Sequence, residues 1–112
     1  MKHADKRLAQ IRALNDTFRQ SLAGGRVTIT RGVADLSDSD QAVILGKVRL
    51  FTSFTPDNDP HGERDFGAFE HAGVRYFWKI DYYDAACAFG SENPADPKVT
   101  TRVMTIMRAD EY

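Results

Sequence analysis

The ten residues VRYFWKIDYY, at 74–83, constrain this chain more than any other stretch. Val74, Tyr76, Trp78, Ile80 and Tyr82 alternate with Arg75, Phe77, Lys79, Asp81 and Tyr83. A period of two is the signature of a strand, whose successive side chains leave opposite faces. Aromatics fall on both alternations, so each face must be at least partly covered, and the strand belongs in the middle of a sheet. The chain has 112 residues, 42% of them hydrophobic, which suits one core and a single domain over 1–112.

The preceding run FGAFEH is also rich in strand formers, and Ala72-Gly73 lies between the two runs. That arrangement predicts a hairpin closed by a tight turn. Upstream, Leu8, Ile11, Leu14, Phe18 and Leu22 recur at spacings of three and four and predict an amphipathic helix over 4–22. Arg12 and Arg19 flank this stripe, while Asp5 and Asp16 point away, and Gly24 or Gly25 supplies a C-cap. RVTITRG then reads as a strand closed by Gly32. A second helix starts at LSDSD, where Ser37 caps and Asp40 stands three residues on. Ile44, Val48 and Phe51 line one face of it, and it stops near Ser53 ahead of Thr55-Pro56. The last segment, VTTRVMTIMRADEY, allows a helix through Val99, Val103, Ile106 and Met107. Its threonines and β-branched aliphatics favour a strand. The expected fold is α+β: an antiparallel sheet of about four strands with two amphipathic helices on one face, in the order α-β-α-β-β-β.

Charge is unevenly distributed. Residues 1–31 carry seven Lys/Arg against two Asp, whereas 32–112 carry eight Lys/Arg against fourteen Asp/Glu. Such a bipolar chain lacks the broad basic excess of a simple nucleic-acid binder, and it offers an acidic face to a basic partner. No apolar run reaches the roughly 20 residues that span a membrane, and the charged N-terminus lacks a signal peptide's apolar core, so a cytoplasmic location is expected. Cys87 is the only cysteine and reads as a small buried residue. No phosphate loop, dinucleotide fingerprint, nucleophile elbow or zinc-protease motif occurs, so no cofactor is expected.

The blocks RALND, GGRVTITRGV, FTPDNDPHGERDFGAFE, FWKIDYYD, GSENPADP and TTRVMTIMRADEY resemble, in order, those of domain of unknown function 3768. The resemblance spans about residues 8–112. It implies a small bacterial protein, met mostly in alphaproteobacteria and often near plasmid or phage-like genes, and it brings no catalytic residues with it. By analogy it implies a mobile-element or phage-type accessory protein that inhibits a host defence complex, as anti-CRISPR proteins do.

TPDNDPHGERDFG, at 55–67, is the densest polar stretch. Asp57, Asp59, His61, Gly62 and Glu63 echo a calcium loop, but His61 stands where an oxygen ligand is wanted and Ala68 where the bidentate Glu belongs. The same residues make good turn formers, since Asp and Asn accept backbone N–H groups, Pro sets φ and Gly takes the left-handed region. Arg64 has four carboxylates nearby to pair with, and Lys79 shares a face with Asp81. Downstream, Tyr82, Tyr83, Asp84, Phe89, Glu92 and Asp96 alternate aromatics with carboxylates. The expected function is therefore that of a non-catalytic interaction protein. Asp57, Asp59, Glu63 and Asp65 on one loop, with Tyr82, Tyr83, Asp84, Glu92 and Asp96 on another, would dock on a basic protein surface such as a nuclease or nucleic-acid-binding subunit. The alternative is a metal-assisted hydrolase using Asp57, Asp59, His61 and Asp65, with His71 able to approach His61. A third reading is weak nucleic-acid binding through the basic N-terminal helix and the residues after it: Lys2, Lys6, Arg7, Arg12, Arg19, Arg26 and Arg31.

Overall fold

A computed structural model describes residues 2–112, with side chains from Asp5 onward. The side chains of Lys2 and His3 lie outside the described residues. The elements are α1 (Lys2–Ser21), β1 (Gly25–Ile29), α2 (Arg31–Ala34), α3 (Asp38–Arg49), β2 (Phe66–His71), β3 (Val74–Tyr83), β4 (Thr101–Arg108) and a closing 3-10 turn (Ala109–Glu111). They form an α+β fold around a four-stranded sheet of order β1-β4-β3-β2. Pairing is antiparallel across β2, β3 and β4, as expected, but β1 runs parallel to β4. No helix among the described residues is long and apolar enough to cross a membrane.

β3 occupies the interior position its sequence demands. Tyr76, Trp78 and Ile80 are buried on one face, where Phe18 of α1 and Ile44 and Val48 of α3 close over them with Met104 and Ile106 of β4. Burying each such side chain contributes on the order of 1.5–3 kcal/mol, so this one face supplies most of the hydrophobic stabilisation. Phe51 and Phe54 meet the Trp78 ring edge-on at 5.6 and 6.1 Å. Gly67 lies directly opposite Trp78, and a Cβ there would collide with the indole nitrogen and with the Phe51 ring. On the opposite face Phe77 packs with Phe66, and Tyr112 folds back to meet both.

Several boundaries depart from the sequence reading. The first helix ends at Ser21, and Leu22, not Gly24 or Gly25, is the first residue to take positive φ, at 62°. Burial of Leu22 against the core compensates for a backbone region that costs a non-glycine residue roughly 1–2 kcal/mol. Arg31-Gly32 opens a single helical turn instead of extending the strand. This turn is fastened to the chain's end, because Glu111 accepts from the Thr30 hydroxyl at 2.7 Å and the Gly32 N–H at 2.9 Å. α3 stops at Arg49, about a turn before Ser53, yet Phe51 still enters the core. Ser37 caps α3 by accepting from the Asp40 N–H at 3.1 Å, as expected. The C-terminal segment is a strand.

The hairpin turn is type I′-like, with Ala72 at φ 53° and Gly73 at φ 78°. Alanine is strained there, whereas asparagine tolerates the left-handed region. Ala72→Asn should therefore raise unfolding stability by about 0.5–1 kcal/mol in urea titrations, with no change in the slope.

Candidate functional site

The chemistry-bearing side chains converge where α1 crosses the ends of β3 and β4. Asn15, on the buried face of α1, is fully shielded. Its Nδ2 donates to the Glu63 carbonyl at 3.0 Å and to the Tyr82 hydroxyl at 2.8 Å. Its Oδ1 accepts from Arg102 Nε at 2.7 Å. Tyr82 donates in turn to the Glu63 carboxylate at 2.6 Å. Arg102, itself buried, reaches the Pro94 carbonyl at 2.5 Å and lies over the Tyr82 ring. One amide thus ties α1 to the acidic loop, to β3 and to β4, and Arg102 extends the network to the 90s loop. The groove above it, about 410 Å³, is lined by Arg7, Leu8, Ile11, Glu63, Tyr82 and Pro94.

Burial, then the bond to Glu63, drives the Tyr82 phenol far above its ordinary value of 10.0. It stays a neutral donor throughout the physiological range. Burial lowers the Arg102 guanidinium below its ordinary range, opposed by the negative charge of nearby Glu63. Asp65 moves upward, first because half-burial removes water from its carboxylate and then because Glu63 lies nearby.

A second network flanks the first. Asp16 accepts from Arg19 at 3.0 Å and from Arg64 at 2.9 Å, so one carboxylate bridges two guanidiniums. Both guanidiniums lie over the Phe54 ring, at 5.2 and 5.3 Å, and Arg19 also lies over Trp78 at 5.5 Å. Arg19 is therefore a core residue, whereas its spacing placed it at the flank of the apolar stripe. Arg64 passes over its own loop's carboxylates to pair with Asp16, although its backbone N–H does donate to Asp59 at 3.0 Å. Arg12 donates to the Gly62 carbonyl at 2.7 Å.

The remaining expected site residues are distributed as follows. Asp57 and Glu92 are exposed, and Asp59, Asp65 and Asp96 are partly so. Asp84 accepts from the Ala88 N–H at 2.9 Å, and Asp96 accepts from that of Lys98 at 2.9 Å. Tyr83 projects from the opposite face of β3, on the side of Lys79 and Asp81, which pair at 2.6 Å as the sequence suggested. The carboxylates of Asp57, Asp59 and Asp65 do not gather with His61, which is exposed. Among the described residues, no group of three or more His, Cys, Asp or Glu is placed to hold a metal ion. His71 does not turn toward His61; it bonds Asp40 at the start of α3 at 2.9 Å. Cys87 is half-exposed at φ 57°, inside a turn, and not the buried residue its alanine neighbours suggested.

The family model described as Protein of unknown function (DUF3768) matches residues 29–111. The chain belongs to that family. No curated protein and no solved structure matches it. The family match takes in both acidic segments and the β3 and β4 partners of the network, while Asn15 and Asp16 stand on α1, ahead of the matched stretch.

Two measurements probe this site. Asn15→Leu keeps the volume but strands the Arg102, Tyr82 and Glu63 groups, so it should lose roughly 2–4 kcal/mol of stability in chemical denaturation. Asp65→Asn tests the raised carboxyl. Its folded-state pKa lies above the ordinary 3.8, so its contribution is fully present below that value and is lost as pH rises through the folded value. The variant should therefore melt above the parent at about pH 7, with the gap closing toward about pH 3.

Proposed function

We propose that this protein is a non-catalytic interaction module that docks on a basic protein surface through loop 56–65 and segment 82–96. The observation that carries the reading is Phe89, an aromatic ring left 76% exposed within an acidic segment. It stands on a turn stiffened by bonds from Asp84 N–H to the Phe89 carbonyl (2.7 Å) and from Cys87 N–H to the Asp84 carbonyl (2.9 Å). A ring carried on a stiffened backbone loses less entropy on docking than one on a mobile loop, which suits an interface anchor. Asp57 and Glu92 are exposed on the two segments, and Asp84 and Asp96 keep part of their surface.

The acidic loop is equally preorganised. Asn58 bonds the Thr55 N–H at 2.9 Å and the Ser53 carbonyl at 2.8 Å, and Asp59 N–H donates to the Thr55 carbonyl at 2.8 Å. Its polar side chains serve backbone groups in the manner of Asx turns and leave the Asp57 charge outward. The partner surface is one that itself binds phosphate, because such grooves concentrate Lys and Arg. A nuclease or nucleic-acid-binding subunit of a host defence complex fits that description. Occupying its groove would block nucleic acid without any chemistry, as a mobile-element inhibitor would need.

The test is affinity capture from a bacterial extract with the parent chain and two variants. Phe89→Ala should weaken recovery of a basic partner by more than tenfold, as loss of an anchor does. The parent's recovery should fall as salt is added, and Asp57→Lys with Glu92→Lys should abolish it. Capture that both variants leave intact would discard this surface. Divalent-metal-dependent hydrolysis that is lost in Asp57→Asn would replace the proposal with the hydrolase reading.

A further inference from the structure

The two edges of the sheet are finished differently. At β2 one outward carbonyl is occupied, because Lys47 of α3 donates to Glu70 at 2.6 Å, and most residues of the strand are at least partly buried. At β1 every residue from Gly25 to Ile29 is exposed, and the side chains of Val27 and Ile29 are 37% and 43% exposed. Thr30 N–H donates to the Ile106 carbonyl at 3.1 Å, which sets the alternation along this parallel pair. Arg26, Thr28 and Thr30 turn their backbone groups toward β4, so Gly25, Val27 and Ile29 turn theirs outward. Among the described residues, no side chain bonds those outward groups. β1 holds no proline, no bulge and no inward charge, and its one charged side chain is Arg26.

We infer that β1 is a pairing edge whose occupant is β1 of a second copy of this chain, antiparallel about a twofold axis at Val27. That register satisfies every outward group. Gly25 faces Ile29 of the copy, Val27 faces Val27, and Ile29 faces Gly25, and each pair exchanges both hydrogen bonds. The side chains agree with it as well. Val27 meets Val27 on the face that carries the core. On the other face Arg26 stands opposite Thr28, so no like charges lie directly across the join. The two four-stranded sheets would run on as one, with the Val27 and Ile29 side chains withdrawn from water. An isologous interface of this kind closes on itself and does not propagate, as twofold symmetry requires. The inference stands apart from the acidic docking surface, which lies at the other end of α1.

The full chain at tens of micromolar should sediment at twice its monomer mass of 12.6 kDa. Val27→Pro removes an outward N–H that the β1–β4 ladder does not use, so it should give monomers with the near-ultraviolet signal of Trp78 unchanged. Val27→Cys in a Cys87→Ala background should form an intermolecular disulfide on mild oxidation, because paired Cα atoms at that position stand about 5.5 Å apart. Val43→Cys on α3 should not. A monomeric parent chain overturns the inference, and so does a dimer that survives Val27→Pro and fails to cross-link at 27.

Discussion

Asn15 donates to the Glu63 carbonyl and the Tyr82 hydroxyl and accepts from Arg102, all without contact with solvent. An amide offers donors and an acceptor in one rigid plane, and here those bonds join four chain segments of very different sequence position. Without it, the Arg102 guanidinium and the Tyr82 hydroxyl would remain buried without their partner. A buried group left unsatisfied costs more than its hydrogen bond contributes, so losing Asn15 would cost more than its own bonds are worth. Together with the bonds from Arg12 to the Gly62 carbonyl and from Arg64 to Asp16, this contact set places loop 55–65 against α1.

The same end of the molecule shows how a basic helix and an acidic remainder share one small domain. The ion pair that joins them sets the helix's Asp16 against the loop's Arg64. Asp16 holds Arg19 and Arg64 around the Phe54 ring, and Arg12 takes the Gly62 carbonyl. Guanidiniums tolerate such sites because they are planar, weakly hydrated and able to stack on aromatic faces. Part of the positive excess of the first thirty residues is thus spent on packing. On the acidic segments Asp57, Glu92 and the Phe89 ring stay exposed to water.

Much of this was legible in the chain. The strict alternation in 74–83 marked β3 as interior, Ala72-Gly73 marked the hairpin, and Ser37 with the acidic residues after it marked the start of α3. These are local signals, carried by side-chain periodicity and turn stereochemistry. The α1 stripe was legible only in part: Ile11 and Phe18 are buried as its spacing required, but Asn15 and Arg19 share that buried face. No periodicity reveals a buried polar residue whose partners lie dozens of positions away. The tie from His71 to Asp40 and the parallel pairing of β1 with β4 were hidden for the same reason.

The sequence by itself determined an α+β domain with a central aromatic strand, its hairpin, two amphipathic helices and a crowded acidic loop built for turning. Only the tertiary structure decided which polar residues are interior, which carboxylates face water, and which sheet edge is left open. Helix and strand periodicity is settled by neighbours a few residues apart, where covalent geometry dictates contact. Whether Asp57 is exposed while Asp16 is enclosed depends on how segments fifty residues apart come to lie, and no local pattern encodes that.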